Sequence, residues 1–354
     1  MVYLVTGGAG FIGSAVVRML VTGGHTVVVL DKLTYAADLR RLDAIRDCGR
    51  LFFEKADVCD GPAVARILAQ YGPTAILHLA AESHVDRSIN EPAAFIHSNI
   101  VGTHELLHCA LDYWLRLGEA PRQGFRFVHV STDEVYGELG PTGVFTEKTA
   151  FAPNSPYAAS KAAADHLAGA WHRTYGLPVI VTSCSNNYGP YQFPEKLVPT
   201  VIGAALGDRP IPVYGRGDNV RDWIHVEDHA RALLAVRQRG RPGERYNIGA
   251  ACERRNVDFV REVCTVLDRH APRRDNRSYA DQITFVADRP GHDFRYAIDA
   301  SKIGAELGWS PREQLPDSLE RTVCWYLGNM DWLTRPGPDV AHGMPSQPSK
   351  AAIK

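Results

Sequence analysis

"VYLVTGGAGFIGSAVVRML" spans Val2 to Leu20. Five apolar or β-branched residues run into a glycine-rich turn, and an apolar segment of helix length follows. The turn, Val5–Gly13, fits G-x-G-x-x-G at Gly8, Gly10 and Gly13, and also G-x-x-G-x-x-G at Gly7, Gly10 and Gly13. Glycines at these spacings permit a tight turn, close approach of backbone to a pyrophosphate, and close helix packing. The helix beginning at Phe11 and Ile12 then presents free N–H groups to phosphate charge. Such a motif alone is common; the strand–turn–helix setting makes it specific. A second strand, His25–Asp31, closes on Asp31, placed to accept hydrogen bonds from adenosine ribose hydroxyls. Its charge repels a 2′-phosphate, so NAD is expected over NADP, although the adjacent Lys32 weakens that preference a little.

The pattern continues outward. Leu51–Asp57, Ala75–Ala80, Phe125–Val130 and Pro178–Cys184 read as buried strands, apolar on both faces. Helical stretches around Gly61–Tyr71, Pro92–Leu117 and Ser155–Tyr175 separate them. Alternation of this kind predicts right-handed βαβ units in an α/β fold: a Rossmann-type, doubly wound parallel sheet. After about Asn186 the rhythm loosens, and Pro190, Pro194, Pro199, Pro210 and Pro212 are expected to break regular structure. The strands "IPVYG" and Arg245–Gly249 follow, with helices near Val257–His270 and Asp299–Leu307. The expected division is 1–185 for dinucleotide binding, with returning segments near 220–250, and 186–334 as a smaller, irregular α/β substrate-binding lobe. Residues 335–354 are expected to be a disordered tail.

Net charge is −1 and no basic block stands out, so nucleic acid is not an expected partner. No apolar run reaches the roughly 20 residues of a membrane span. The N-terminal stretch is broken by glycines and does not read as a signal peptide. Seven scattered cysteines without C-x-x-C spacing fit reduced thiols in a cytoplasmic protein.

"YAASK" places Tyr157 and Lys161 on one face of a helix. An ammonium nearby, together with the charge of a nicotinamide, would favour the phenolate and make Tyr157 a base near neutral pH. Upstream, "FRFVHVSTDEVYG" (Phe125–Gly137) ends a strand in Ser131 and Thr132, then sets Asp133 beside Glu134. Two adjacent carboxylates at the end of a buried strand are costly, and a solvated loop is their bland explanation.

The glycine turn, the strand-end hydroxyls and Tyr-x-x-x-Lys together resemble the extended short-chain dehydrogenase/reductase family. Longer blocks resemble its dTDP-glucose 4,6-dehydratases: "DKLTYA" (31–36), "HLAAESHVDRSI" (78–89), "STDEVYGE" (131–138), "CSNNYGPYQFPEKL" (184–197), "NVRDWIHVEDH" (219–229) and "RPGHDFRYAID" (289–299). They cover the chain from residue 1 to about 330. The resemblance implies oxidation at sugar C4, loss of water across C5 and C6, and hydride return to C6. Elimination needs an acid and a base, which explains the carboxylate pair: Asp133 as acid, Glu134 as base, with Tyr157 acting on the C4 hydroxyl beside Thr132 and Lys161.

By the same resemblance Leu33, Thr34, Asp57, Val58, Leu79, Ala80, Ala81, Ser83, Ser98 and Asn187 would join the NAD site. Ser83 and Thr132 would also touch substrate, with Asn186, Lys196, Leu197, Pro212, Val213, Asn256, Arg289 and His292. Lys196 and Arg221 suit a diphosphate, and Tyr214 suits packing against the base. A homodimer is implied, as is an early step toward deoxysugars such as dTDP-rhamnose. One departure is Ala36-Ala37-Asp38, where the family commonly shows Ala-Gly-Asn. Readings that stay open are a UDP-glucose 4,6-dehydratase and a nucleotide-sugar 4-epimerase, which would not need the acid pair. A non-catalytic NAD sensor would tend to lose Tyr157 or Lys161. "HELLH" (His104–His108) matches a zinc-protease signature, but it sits mid-helix with no third ligand apparent, so no metal is expected.

Overall fold

Apolar runs form the strands β1 (Val2–Thr6), β2 (Thr26–Leu30), β3 (Leu51–Glu54), β4 (Ala75–His78), β5 (Arg126–Thr132) and β6 (Val179–Cys184) in a computed structural model that describes residues 1–334. The expected tail lies outside the described residues. The second half adds β7 (Asn186–Tyr188), β8 (Ile211–Tyr214), β9 (Val220–His225), β10 (Arg245–Ile248), β11 (Glu253–Arg255) and β12 (Ile283–Val286). Seven strands make one parallel sheet in the order β10-β6-β5-β4-β1-β2-β3. This is the expected doubly wound α/β sheet, and its strand order reverses between β1 and β4. Ligands of such sheets bind at the carboxyl ends of the strands beside that reversal.

Both faces of the sheet are apolar because both are covered. Tyr3, Val5, Val27 and Val29 face one layer, with helices Phe11–Thr22 and Val226–Arg239. Leu4, Val28, Leu30 and Ile76 face the other, with helices Gly61–Tyr71 and Gly102–Leu115. A third cluster, including Ile202, Phe259, Val263, Leu319 and Val323, lies beyond the sheet. It is built by helices Leu197–Leu206, Asn256–His270 and Leu315–Gly328. The small sheets β11-β9-β7 and β12-β8 complete this region.

Two expectations are corrected here. The prolines after Asn186 do not all interrupt structure: Pro199 is the third residue of helix Leu197–Leu206. First-turn N–H groups lack helical partners anyway, so its missing donor costs little there. The stretch Pro92–Leu117 is not one regular helix. A short α-helical turn, Pro92–Phe95, passes through a π turn, Ile96–Val101, into helix Gly102–Leu115. The helices Val226–Arg239, Leu197–Leu206 and Leu315–Gly328 and the short helices Val85–Asn90 and Glu119–Gly124 are additional to those expected. The first carries Glu227 and Asp228 in its opening turn and Arg237 and Arg239 in its last, matching the helix dipole at both ends.

Candidate active site

The helix bearing the Tyr-x-x-x-Lys pair is tightly specified at both ends. Ser155 caps it by accepting from Ala158 N–H at 3.1 Å, Pro156 opens it, and Gly176 ends it in the left-handed region. Tyr157 and Lys161 therefore sit at fixed heights one turn apart, and both are buried. Beside them β5 delivers Thr132 at its carboxyl end, followed by a single 3₁₀ turn, Asp133–Tyr136. The Thr132 hydroxyl caps that turn, accepting from Glu134 N–H and donating to Asp133 Oδ1, each at 3.3 Å.

The electrostatics separate the two carboxyls. Asp133 is 2% exposed, and its Oδ2 has no hydrogen-bond partner. Burial, then the charge of Glu134, pushes its carboxyl well above the usual range. Burial also raises Glu134, but Arg289, Arg221 and Lys196 pull it back. The phenol of Tyr157 is lifted well above 10 by burial and then by Glu134, with the Thr132 hydrogen bond opposing. The Lys161 ammonium donates to Val130 O at 2.8 Å. Burial pushes Lys161 down and the Asp165 carboxylate, one turn further along the helix, pushes it up. Asp165 contacts Arg245 at 2.8 Å and His129 at 3.1 Å.

At the sheet's switch point the glycine turn is shaped as a cradle. Gly7 has φ +69°, and a Cβ there would lie 2.7 Å from Ala80 N. A Cβ on Gly13 would collide with the Gly7 carbonyl. Gly10 precedes the helix that Phe11 and Ile12 begin. Asp31 receives N–H bonds from Ala9 (3.1 Å) and Leu33 (2.9 Å), which fixes its carboxylate at the strand end. Lys32 reaches Asp57 at 3.3 Å and Ser98 at 2.9 Å, and Val58 is buried behind them. Leu79 and Ala80 bond back to Thr6, and Thr34 accepts from Ala37 N–H. The residues fit a dinucleotide: a Cβ-free turn, a helix N-terminus and a strand-end carboxylate converge on one crevice. Asn187 donates to Ser185 O and meets His229 Nδ1 through its side-chain oxygen.

Across the crevice the expected substrate residues form a second group. Lys196 opens helix Leu197–Leu206 and donates to Ser83 O at 3.1 Å, while Asn186 starts β7. Pro212, Val213 and Tyr214 lie on β8, and Asn256 begins its helix. Tyr214 and Arg289 both bond Asp86, each at 3.2 Å, and His292 pairs with Asp288 at 2.6 Å. Arg221 is buried, bound to the Asp293 carbonyl at 2.8 Å, with its guanidinium 4.2 Å from the centre of the Tyr296 ring.

Sequence reasoning missed Asp86, Tyr296, Asp165 and the Tyr35–Glu195 contact. Three of them lie in the resembling blocks, and for Asp86 the adjacent Arg87 was the available signal. The π turn was also missed. It aims Ser98 at Lys32, and it sets the buried Asn99 amide between Glu82 and Ser160 on the Tyr157 helix. His104 pairs with Glu105 and meets Trp171 edge-on at 5.5 Å. Among the described residues no group of three or more His, Cys, Asp or Glu is placed to hold a metal ion.

The fold and this constellation are those of an NAD-type nucleotide-sugar enzyme, and comparison with known proteins narrows the class. The GDP-mannose 4,6 dehydratase family model matches residues 4–322. Escherichia coli K12 dTDP-glucose 4,6-dehydratase 1 is 57% identical over 343 residues, covering 94% of each chain. DesIV of Streptomyces venezuelae, a dTDP-glucose 4,6-dehydratase solved with NAD bound, has a TM-score of 0.85 and 46% identity over 94% of this chain and 98% of its own. A Thermotoga maritima UDP-glucose 4-epimerase shares the fold at TM-score 0.82 but only 28% identity, over 93% of this chain and all of its own. The chain belongs to the dTDP-glucose 4,6-dehydratase family within the extended short-chain dehydrogenase/reductases.

Proposed function

We propose that the chain converts dTDP-glucose to dTDP-4-keto-6-deoxyglucose and water. The observation that carries this is Asp133, a buried carboxyl with an unpartnered oxygen that burial and its neighbour's charge push up, beside Glu134, which burial also raises but Arg289, Arg221 and Lys196 pull back. An acid and a base side by side are what elimination requires, and a 4-epimerase has no use for them. The glycine turn, Asp31, Lys32, Asp57 and the Leu79–Ser83 segment would hold NAD. When bound there, NAD would supply the acceptor for the C4 hydride and the donor for its return to C6, and its oxidised, cationic form would favour a phenolate.

The protein's own residues do the proton work. Tyr157 takes the C4 hydroxyl proton, while Thr132 holds that oxygen and Lys161 supplies positive charge. The resulting C4 ketone acidifies the C5 hydrogen. Glu134 removes that proton, and Asp133 protonates the C6 hydroxyl as it leaves, giving water and a C5–C6 double bond. Glu134 then gives its proton back to C5. Lys196 and Arg289 would bind the diphosphate and Tyr214 the base. Arg221, expected at the diphosphate with Lys196, is buried against backbone carbonyls and also pulls down the Glu134 carboxyl, after Arg289.

In this reading 1–185, with returning segments near 220–250, forms the cofactor part, and 186–334 the sugar-nucleotide lobe. The exposed apolar side chains Ile96, Val101, Leu115 and Tyr175 on and beside the helices Gly102–Leu115 and Pro156–Tyr175 support a homodimer through that face. No helix of the described residues is long and apolar enough to cross a membrane, and the seven free cysteines support a cytoplasmic site of action. Mass spectrometry of the product made from dTDP-glucose tests the reading. Loss of one water with no net NAD consumption is expected. An isomer of unchanged mass would replace the dehydratase with an epimerase, and turnover of UDP-glucose alone would replace the nucleotide.

A further inference from the structure

We infer that Glu195 is a positioning residue that ties retention of the cofactor to occupancy of the sugar-nucleotide site. The inference rests on the reading that the crevice holds NAD. Net chemistry in that reading consumes no NAD, so escape of the cofactor between the two hydride steps would stop the enzyme.

Three segments far apart in sequence meet over the carboxyl edge of the sheet. One follows β2 and carries Tyr35, directly after Lys32, Leu33 and Thr34. The second follows β4 and carries Ser83, His84 and Arg87. The third belongs to the lobe and carries Glu195 and Lys196. Tyr35 Oη donates to Glu195 Oε1 at 3.1 Å across 160 residues of sequence. The Glu195 side chain is 8% exposed, and its other oxygen lies 3.7 Å from His84 Nε2. The Arg87 guanidinium stacks on the Tyr35 ring 3.9 Å from its centre, and Phe193 meets the same ring edge-on at 5.4 Å. Lys196 closes the bridge on its other side by donating to Ser83 O.

The lobe segment is also anchored from beneath. The buried Arg41 guanidinium donates to Ala9 O in the glycine turn, to Ala36 O after β2 and to Tyr191 O in the lobe, at 2.8, 2.8 and 3.0 Å. One end of the 191–196 segment is thus fixed to the cofactor cradle. The other end is held by two side chains, Glu195 through Tyr35 and Lys196 through Ser83 O. Because burial holds His84 down at about 4, it is neutral at pH 7, and Tyr35 is the firm partner of that carboxylate. Glu195 is bonded to Lys196 through the chain itself, and Lys196 faces the expected diphosphate. A diphosphate that draws Lys196 inward would draw Glu195 with it and hold Tyr35 over the crevice. Coupling of this kind is reciprocal.

The test measures NAD retained after gel filtration and the rate at which NAD leaves, trapped by a coupled dehydrogenase, with and without thymidine diphosphate. Wild type is expected to keep NAD, and thymidine diphosphate is expected to slow its release. Glu195→Gln should release NAD about tenfold faster, the factor that accompanies about 1.4 kcal/mol, and lose the effect of thymidine diphosphate. Tyr35→Phe, which deletes one hydroxyl and leaves the core intact, should move both quantities the same way. Release rates like wild type, or faster release with the thymidine diphosphate effect unchanged, would overturn the role of Glu195. A wild-type protein that neither retains nor rebinds NAD would instead overturn the cofactor reading beneath it.

Discussion

The two sides of the crevice are built differently. On the sheet side, Thr132, Asp133, Tyr157 and Lys161 are buried and set on a strand end and a doubly capped helix. On the lobe side, Tyr214 on a short edge strand and Arg289 both reach across to Asp86 on the helix Val85–Asn90, and His292 pairs with Asp288, all through partly solvated contacts. Groups that must move protons are preorganised in a dry setting, where a misplaced charge is costly. Groups that must admit and release a nucleotide sugar are held by contacts that a diphosphate can exchange.

That contrast orders the expected losses. Tyr157→Phe should have the largest effect, lowering kcat by about 10²–10⁴-fold and abolishing C4 oxidation; near-normal turnover would remove it from the chemistry. Asp133→Asn and Glu134→Gln should come next, blocking elimination after oxidation, so that NADH absorbance builds up during a single turnover. On the lobe side, Tyr214→Ala should raise KM about tenfold with kcat nearly unchanged, and an equal loss in kcat would mean that the lobe, too, is built for the transition state. The smallest effect is on stability. Asp133 has a raised carboxyl in the folded state, so its contribution is fully present below the usual carboxylate pKa of about 4 and is lost as pH rises through its folded value. Asp133→Asn removes that dependence. Its melting temperature should gain on wild type between pH 5 and pH 9, by about 2 °C for each kcal/mol relieved.

The sheet side was legible because its signals are local. A glycine turn between a strand and a helix, or Tyr and Lys four residues apart, has one structural meaning once the alternation is seen. The lobe was less so. Pro199 looked like a breaker because its place in a first helical turn depends on where the helix begins. Tyr35 and Glu195 gave no sign of each other, since their bond depends on how two distant loops fold over the sheet. Burial was equally hidden: nothing in the string "STDE" says that Asp133 loses its water while Glu134 gains three cations.

The π turn at Ile96–Val101 has a consequence for kinship as well as for chemistry. A π turn takes up one residue more than the α-helix around it needs. Related chains that lack it would align here with a gap of a single position, easily dismissed as a trivial length difference. Such a gap would turn every following side chain by about 100° relative to those before it. Ser98 and Asn99 would lose their places against Lys32, Glu82 and the Tyr157 helix. A one-residue deletion in this helix therefore marks a lineage whose cofactor side is wired differently, however well the glycines and the Tyr-x-x-x-Lys pair survive.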